Sequence, residues 1–324
     1  MENKRLWELN TTLNATQGDV SHTNWLTPFG VFVAIAMTLT VLLNLLLNPL
    51  MFITLRRAAG TRCSTKIILG SLTLSDLLAA LCQALTLPEL YIGAWMLGGF
   101  LCVTVKLLLI TSYFMGIMSL LLLTIDRFIA VAFPLRYPQL MTTRKAKTAV
   151  CITWATSSIL VILLYGVYNH SVVSPQHPKI CQQTLNDWRM YISGVLVTLT
   201  LIVIIVLYTR ISFIAHRHAR DIAIVNRVRQ AKRQQFNARA TVTILIITST
   251  LAVTWIPSIA FFVSSESEFW DYETAALTDV LALSNGWLNV VIYYLRNPFL
   301  RQALCDLLSA KPNCFCLFQS PSPQ

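Results

Sequence analysis

Residues 101–133 read LCVTVKLLLITSYFMGIMSLLLLTIDRFIAVAF, and their only charged members are Lys106, Asp126 and Arg127. A helix rises about 1.5 Å per residue, and roughly 20 apolar residues cross about 30 Å of hydrocarbon. This segment is longer than that. Because lipid offers the backbone no hydrogen-bond partner, a spanning segment of this kind must satisfy its own backbone as an α-helix. The stretch therefore predicts a transmembrane helix.

Six further apolar runs are long enough to cross a membrane: residues 29–54, 67–90, 148–168, 190–214, 241–263 and 274–295. The chain is 55% hydrophobic and 12% charged, whereas about a quarter of the residues in soluble domains are charged. The runs lack the alternation and the length of about 10 residues typical of barrel strands. We expect an all-α membrane protein. Its predicted parts are an N-terminal tail (1–27), a seven-transmembrane helix bundle (28–296), and a short amphipathic eighth helix with a tail (297–324).

The basic residues are concentrated between the spans on one side. Nineteen of the 25 Lys and Arg residues fall in the segments 56–66, 136–147, 210–239 and 296–311. Since positive residues favour cytoplasmic loops, the N-terminus is predicted outside and the C-terminus in the cytoplasm of a multi-pass plasma-membrane protein. The net charge of +11 then has an explanation that requires membrane lipid and no nucleic acid.

Three glycosylation sequons agree with this orientation. They begin at Asn10, Asn14 and Asn169, and all three fall on the predicted outer side. We therefore expect the N-terminal tail to be extracellular and glycosylated.

Short polar motifs recur along the spans in a fixed order. They are Asn48 in the first span, Leu72-Thr73-Leu74-Ser75-Asp76 in the second, Cys102 and Asp126-Arg127-Phe128 at the two ends of the third, Pro134-Leu135-Arg136-Tyr137 after it, Trp154 in the fourth, Thr254-Trp255-Ile256-Pro257 in the sixth, Asn289-Val290-Val291-Ile292-Tyr293 in the seventh, and Asn297-Pro298-Phe299 before the eighth helix.

This order resembles that of the rhodopsin-like class of G-protein-coupled receptors. The resemblance implies a cell-surface receptor, not an enzyme, that binds an extracellular ligand. Such a receptor activates heterotrimeric G proteins through outward motion of helix 6 and is also recognised by arrestin. The chain departs from the family pattern at Phe128, Thr254 and Val290, and its fifth span has no proline, with Thr200 near the expected place. These departures indicate a divergent member and leave the subfamily open.

The family resemblance assigns roles to several cysteines. Cys102 and Cys181 lie at predicted outer positions, in an oxidising compartment, and are expected to form a disulfide. Cys305, Cys314 and Cys316 follow the last span, where palmitoylation and plain thiols are both open. We expect the remaining three cysteines to be free thiols: Cys63, Cys82 and Cys151.

The resemblance also predicts an activation switch. Asp126 and Arg127 would pair at the cytosolic end of helix 3 until Arg127 is released toward a G protein. Pro257 removes a backbone hydrogen bond from helix 6. Trp255, two residues before it, is expected at the floor of the ligand cavity. Tyr208, Asn289 and Tyr293 would rearrange as the bundle opens. The sixth span offers no acid near Asn237 to hold Arg127, so appreciable basal activity is expected.

A carboxylate inside a span is costly and suggests a function. Asp76 is expected near Asn48, Asn285 and Asn289, and the resemblance makes this an allosteric sodium site. A hydrogen-bonded network around a protonated Asp76 remains equally open, because Gly116 stands where the family usually has serine. No other cofactor is expected.

The ligand is less clearly indicated. Leu109 stands where amine receptors have an aspartate, and Leu283 stands where opsins have the retinal lysine, so neither of those ligand types is expected. Lys106, assisted by Arg189, could bind an acidic group, or Asp279 could bind a cation. A Lys106–Asp279 salt bridge that closes the cavity is the third alternative and the favoured one. The remaining predicted lining is apolar and aromatic, and the ligand is a small molecule, lipid or short peptide: Tyr113, Trp255, Ile259 and Phe262.

Two other functions compete with the receptor. A transporter or channel would need a polar path and often repeated halves, but no repeat is found, and Asp76 and Asp279 are counted as the acids inside the spans. An intramembrane enzyme is disfavoured because all five histidines fall outside the spans. A non-signalling decoy receptor also remains open.

Overall fold

A computed structural model describes residues 27–58, 61–92, 95–166, 181, 188–223, 246, 249–261 and 272–308. All seven predicted spans contain a helix, and no strand occurs in the part of the chain described. The helices are α1 (Pro28–Arg57), α2 (Cys63–Ile92), α3 (Gly98–Ala132), α4 (Thr143–Val161, continued by the π-helical turn Ile162–Gly166), α5 (Trp188–Ala223), α6 (Ser249–Phe261) and α7 (Tyr272–Arg296).

Six of these helices are long and apolar enough to cross a membrane, and the described part of α6 is a shorter apolar helix. Most helices run past the predicted spans by a few residues. The largest extension is in α5, which continues to Ala223 although its apolar run ends near residue 214. Neither glycine nor proline interrupts the basic segment after Ile214, so the helix continues beyond the predicted hydrocarbon region.

The bundle buries several polar side chains among its apolar core and covers its outer surface with large apolar side chains. Leu46, Phe213 and Val253 are more than half exposed on its outer surface, whereas Asn44 and Asn48 are fully buried. Because lipid does not drive apolar side chains inward, interhelical hydrogen bonds and close packing help to hold the helices together.

Helix α3 packs against α2, α4 and α5, and α1 packs against α2 and α7. A chain of hydrogen bonds joins three helices: Trp154 Nε1 on α4 donates to Ser71 Oγ on α2 at 3.1 Å, and Ser71 lies 3.0 Å from Ser119 Oγ on α3. Trp154 is therefore a structural link between helices.

The two ends of the bundle are named by the residues of α3. The end of α3 that carries Arg127 is the inner end, and the end that carries Cys102 is the outer end.

The predicted eighth helix is present as α8 (Pro298–Leu308). Asn297 caps it, since its Oδ1 accepts from the backbone N–H of Phe299 at 3.0 Å. Leu300 and Ala303 are buried against α1 and α7, while Leu308 is exposed. This one-sided burial is what an amphipathic helix on a membrane surface shows.

Candidate functional site

The predicted disulfide between Cys102 and Cys181 is present, with the two Cα atoms 5.6 Å apart. It fixes Cys181 to the first turn of α3, and both cysteines are buried. Cys63, Cys82 and Cys151 are free thiols as predicted, with Cys82 buried and the other two exposed. The disulfide places part of the segment after α4 over the outer end of the bundle.

Glu89 on α2 is a further acid inside the bundle, and the sequence count of two acids, Asp76 and Asp279, was wrong in omitting it. Its side chain is only 7% exposed, and Oε1 accepts the backbone N–H of Cys181 at 2.7 Å. The carboxylate therefore holds the disulfide against α2. Its position within the predicted second span was the available signal, because an intramembrane acid is unusual wherever it occurs.

Lys106 and Asp279 do not form the expected salt bridge. The only ion pair within 4 Å in the described part of the chain joins Asp126 and Arg127. Lys106 is instead close enough to interact electrostatically with two carboxylates, Glu89 and Asp279. The sequence analysis did not consider Glu89 as a partner of Lys106. Because Glu89 also attracts the Lys106 ammonium, the lysine interacts with two acids.

Asp279 is exposed although it lies in the outer half of a spanning helix. Its charge acts on Lys106 and on the Tyr113 hydroxyl, and both of these groups belong to α3. Ala276 and Leu283, on the same face of α7, pack into the cluster that contains Val105. The carboxylate therefore faces into the bundle, and its exposed surface belongs to an opening between helices.

The floor of this opening is aromatic and apolar. Tyr113 meets Trp255 edge to face, with ring centroids 5.7 Å apart at 88°. The Tyr113 hydroxyl is buried and has no hydrogen-bond partner among the described residues. Leu109 is buried in the wall, and Ile259 packs against the cluster that contains Trp255.

Phe262 and the side chain of Arg189 lie outside what the structure describes. Their proposed contacts with ligand stay predictions. The same holds for glycosylation at Asn10, Asn14 and Asn169.

Asp76 sits beside two glycines in the middle of the bundle. A Cβ on Gly116 would lie 3.7 Å from Asp76 Oδ1, and one on Gly286 would lie 3.0 Å from Asp76 Cβ. The absence of side chains on α3 and α7 thus allows both helices to approach the carboxylate. None of the expected amides donates a hydrogen bond to Asp76 directly in the described structure.

The amides predicted to surround Asp76 bond mainly to one another. Asn289 Nδ2 donates to Asn285 Oδ1 at 2.9 Å, and Asn48 Nδ2 donates to Asn44 Oδ1 at 3.0 Å. Sequence analysis missed Asn44, which also donates to the Leu283 carbonyl at 3.0 Å and so joins α1 to α7. Its spacing of four residues from Asn48, on one helix face, was the signal available.

The donor set fits a small hard cation. The amide oxygens of Asn48 and Asn289 are buried and without hydrogen-bond partners among the described residues, and Asp76 adds a carboxylate. Hard cations prefer oxygen ligands of this kind. Sodium or water would satisfy these oxygens.

At the inner end, Asp126 is completely buried and organises a cluster of polar groups. Its Oδ2 accepts from Thr65 Oγ1 at 3.0 Å, and its Oδ1 accepts from the Tyr137 hydroxyl at 2.8 Å. The Arg62 guanidinium stacks 4.5 Å from the centroid of the Tyr137 ring. Burial, followed by the negative charge of Asp126, raises the pKa of the Tyr137 phenol, which stays protonated and donates.

Arg127 is held more loosely than Asp126. Its guanidinium is 38% exposed, lies 3.6 Å from Asp126 Oδ2 and donates to Thr65 Oγ1 at 3.2 Å. A single ion pair of this kind, half open to solvent, contributes little stability. Sequence analysis predicted the pair but missed Thr65 and the role of Tyr137, both of which keep Asp126 in place independently of Arg127.

The other switch residues lie between the cavity and Arg127. Tyr208 is buried, and Tyr293 packs against the same cluster of apolar side chains. Tyr293 is near enough to interact electrostatically with Tyr208 and Arg127. Pro257 lies within α6, and Thr254 Oγ1, less than one turn before it, accepts from Asn285 Nδ2 at 3.4 Å, which links α6 to α7.

Cys305 lies on α8, and Cys314 and Cys316 lie outside the described residues. Palmitoylation at these three cysteines stays a prediction.

Comparison with known proteins gives a consistent result. The family model for the seven-transmembrane receptor (rhodopsin family) matches residues 47–315. The chain is 26% identical over 286 residues to the growth hormone secretagogue receptor type 1 of Oryctolagus cuniculus, covering 82% of this chain and 77% of that receptor. It is 26% identical over 299 residues to cannabinoid receptor 1 of Xenopus laevis (82% and 60%) and 24% identical over 259 residues to G-protein coupled receptor 12 of Rattus norvegicus (80% and 75%). With its helical bundle and the match over most of its length, this chain belongs to the rhodopsin family of seven-transmembrane receptors.

Proposed function

We propose that this receptor lies in the plasma membrane with its N-terminus outside and binds an extracellular small molecule, lipid or short peptide. Ligand binding activates heterotrimeric G proteins through outward motion of α6, and arrestin binds the same inner face. Residues 1–27 form the glycosylated tail, 28–296 the receptor domain, and 297–324 the eighth helix and the cytoplasmic tail. The concentration of basic residues at the inner end supports this orientation.

The observation that carries the proposal is the loose attachment of Arg127. Asp126 has two hydrogen-bond donors of its own, Thr65 and Tyr137, so the departure of Arg127 leaves a satisfied carboxylate behind. A buried charge left without partners would be costly. Arg127 can therefore leave its pair at low cost and contact a G protein.

A continuous apolar cluster supports coupling between the cavity and Arg127. It contains Trp255 and Leu251 of α6 and Tyr208 of α5, with Tyr113 packed against its outer part and Phe128 against its inner part. Packed side chains transmit displacement because protein interiors have little free volume. A ligand that moves Tyr113 would move Trp255, and with it the part of α6 on the inner side of Pro257.

Sodium, where it binds, would be held by Asp76 with the oxygens of Asn48 and Asn289, and Asn285 would orient Asn289. The ion would supply positive charge to a buried carboxylate. Its release would be coupled to motion of α7, since Gly286 of α7 touches both Asp76 and Asn44.

The test is nucleotide exchange on purified G-protein heterotrimers, catalysed by this chain in lipid nanodiscs. Exchange should exceed that of empty nanodiscs even without ligand and should fall to background in Arg127→Ala. The matched control is Arg136→Ala, which removes an exposed positive charge just beyond α3 but outside the Asp126 cluster.

The same assay, repeated with cationic, acidic and lipid libraries, identifies the ligand class. Equal exchange by the wild-type chain and Arg127→Ala contradicts the proposed switch. Silence toward all heterotrimers and libraries, with a folded receptor, would favour a decoy receptor and direct the next experiment to ion and solute flux.

A further inference from the structure

The outer cavity contains three charged groups whose arrangement bears on the chemistry of the ligand. Glu89 is buried and accepts a hydrogen bond from the backbone of Cys181, whereas Asp279 is exposed in the opening between the helices. Lys106 lies near both carboxylates and within 4 Å of neither. The described part of the cavity thus contains two acids and one base.

A ligand with a positive charge would give the two acids one cation each. A ligand with a negative charge would add a third anion beside a single lysine. An anionic ligand at Lys106 would place three negative groups around one ammonium in a low-dielectric site, where like charges repel strongly. A cationic ligand would pair with Asp279 and leave Lys106 to Glu89. Each charge would then have a partner, which is the condition for burying charge inside a membrane protein.

The Tyr113 hydroxyl points independently to a ligand. It is buried, lacks a hydrogen-bond partner in the described structure, and interacts electrostatically with Asp279. Buried polar groups without partners are rare, and a ligand atom can supply the missing bond. The Tyr113 ring also contacts Trp255, so a group bonded there would act directly on the cavity floor.

We infer that the outer cavity is a cation-selective site whose ligand is an amphipathic amine or guanidine, bound through its positive group to Asp279 and through a polar atom to the Tyr113 hydroxyl. Its apolar body lies along the wall formed by Leu109 and Ile259. This inference rests on the proposed receptor function, because it takes the cavity to be the ligand site. The positive group of the ligand is thus bound by an acid on α7. Helix α3 offers no acid at Leu109, the position of the aspartate in amine receptors.

The test measures the electrostatic potential of the cavity and needs no natural ligand. A single thiol is introduced by Ala276→Cys, one turn from Asp279 on the same face of α7, in a Cys82→Ala background. Three methanethiosulfonates of similar reach are compared on the reconstituted receptor: the cationic trimethylammonioethyl, the anionic sulfonatoethyl and the neutral hydroxyethyl reagent. The Cys82→Ala chain without the added thiol provides the blank.

With Asp279 present, the cationic reagent should react faster than the anionic one after normalisation to the neutral reagent. Asp279→Asn should lower the cation-to-anion rate ratio on the order of tenfold, as expected when one unit charge is removed a few ångströms away. Lys106→Gln should raise the ratio, and Tyr113→Phe should leave it unchanged because no charge is altered.

Three results would overturn the inference: faster reaction of the anionic reagent, a ratio indifferent to Asp279→Asn, or failure of the neutral reagent to reach the thiol. The first result would mean that Arg189 or another cation dominates the site. None of these rates depends on a G protein. A cation-selective cavity with no exchange activity would therefore leave this inference standing while the proposed function fails, and the reverse combination would be equally distinct.

Discussion

The carboxyl group of Asp126 is buried at the inner end of α3, and hydrogen bonds hold it in place there. Thr65 and Tyr137 donate to its two oxygens, and Arg127 adds an outer, weaker contact. The raised pKa of Tyr137 keeps the donor protonated. The stability from this bond is present below the unfolded pKa of about 10 and is lost as the pH rises through the folded value.

Replacement of Tyr137 by phenylalanine should therefore destabilise the receptor. Tyr137→Phe leaves one oxygen of a buried carboxylate without a donor, which costs about 1–3 kcal/mol. The matched control is Tyr294→Phe, where the lost partner is the neutral hydroxyl of Thr54 at 2.8 Å. Thermal unfolding in one detergent should show the larger loss for Tyr137→Phe, and equal losses would argue against a stabilising hydrogen bond from Tyr137 to Asp126.

Among the helices, α7 approaches α1 and α2 through Gly286. A Cβ at this position would clash with Asn44 Oδ1 and would lie 3.0 Å from Asp76 Cβ. This close approach holds the middle of α7 against the polar groups around Asp76.

Gly286→Ala should push α7 away from this contact and destabilise the bundle by about 1–3 kcal/mol, the usual effect of overpacking. Gly70→Ala is the control within a helix, since its nearest neighbour would be Phe52 at 3.7 Å, an ordinary contact. There the better helix propensity of alanine should stabilise by up to about 1 kcal/mol. The two melting temperatures should move in opposite directions, and a stabilised Gly286→Ala would refute the close approach.

The sequence allowed the bounds of most helices to be predicted to within a few residues because hydrocarbon thickness sets their length, and Asn297-Pro298 marked the start of α8. The inner end of α5 lies beyond the predicted span, since no hydrocarbon limit applies to it there. The disulfide and the Asp126–Arg127 pair followed from the family motifs. The interaction of Lys106 with Glu89 as well as Asp279 could not be predicted. Glu89 is far from Lys106 in sequence, and only the packing of α2 against α3 brings them together. The Asn44 bond to Leu283 depends in the same way on which face of α1 meets α7.

For the whole molecule, the proposed orientation rests on the distribution of positive charge, and glycosylation offers an independent check. Asn10 and Asn14 receive glycans only where the N-terminal tail enters the lumen during synthesis. Expressed in mammalian cells, the receptor should lose mass on enzymatic deglycosylation. Asn10→Gln with Asn14→Gln should remove most of that shift.

Thr12→Ala with Thr16→Ala is the control for this prediction, because it destroys both sequons and leaves the asparagines in place. It should reproduce the glutamine variants. A tail that carries no glycan in any of these chains, on a receptor that reaches the cell surface, would argue for the opposite orientation or for unused sequons, and an epitope placed at the N-terminus would decide between them.

The central claim is that α6 moves outward when a G protein engages the inner face. Spin labels placed through Arg144→Cys on α4 and Ile246→Cys just before α6, both exposed positions, report that distance in a background without other free cysteines. Electron–electron resonance in nanodiscs should show the distance lengthen by several ångströms when nucleotide-free G protein is added, and Arg127→Ala should abolish the change. An unchanged distance in the presence of bound G protein would contradict the account.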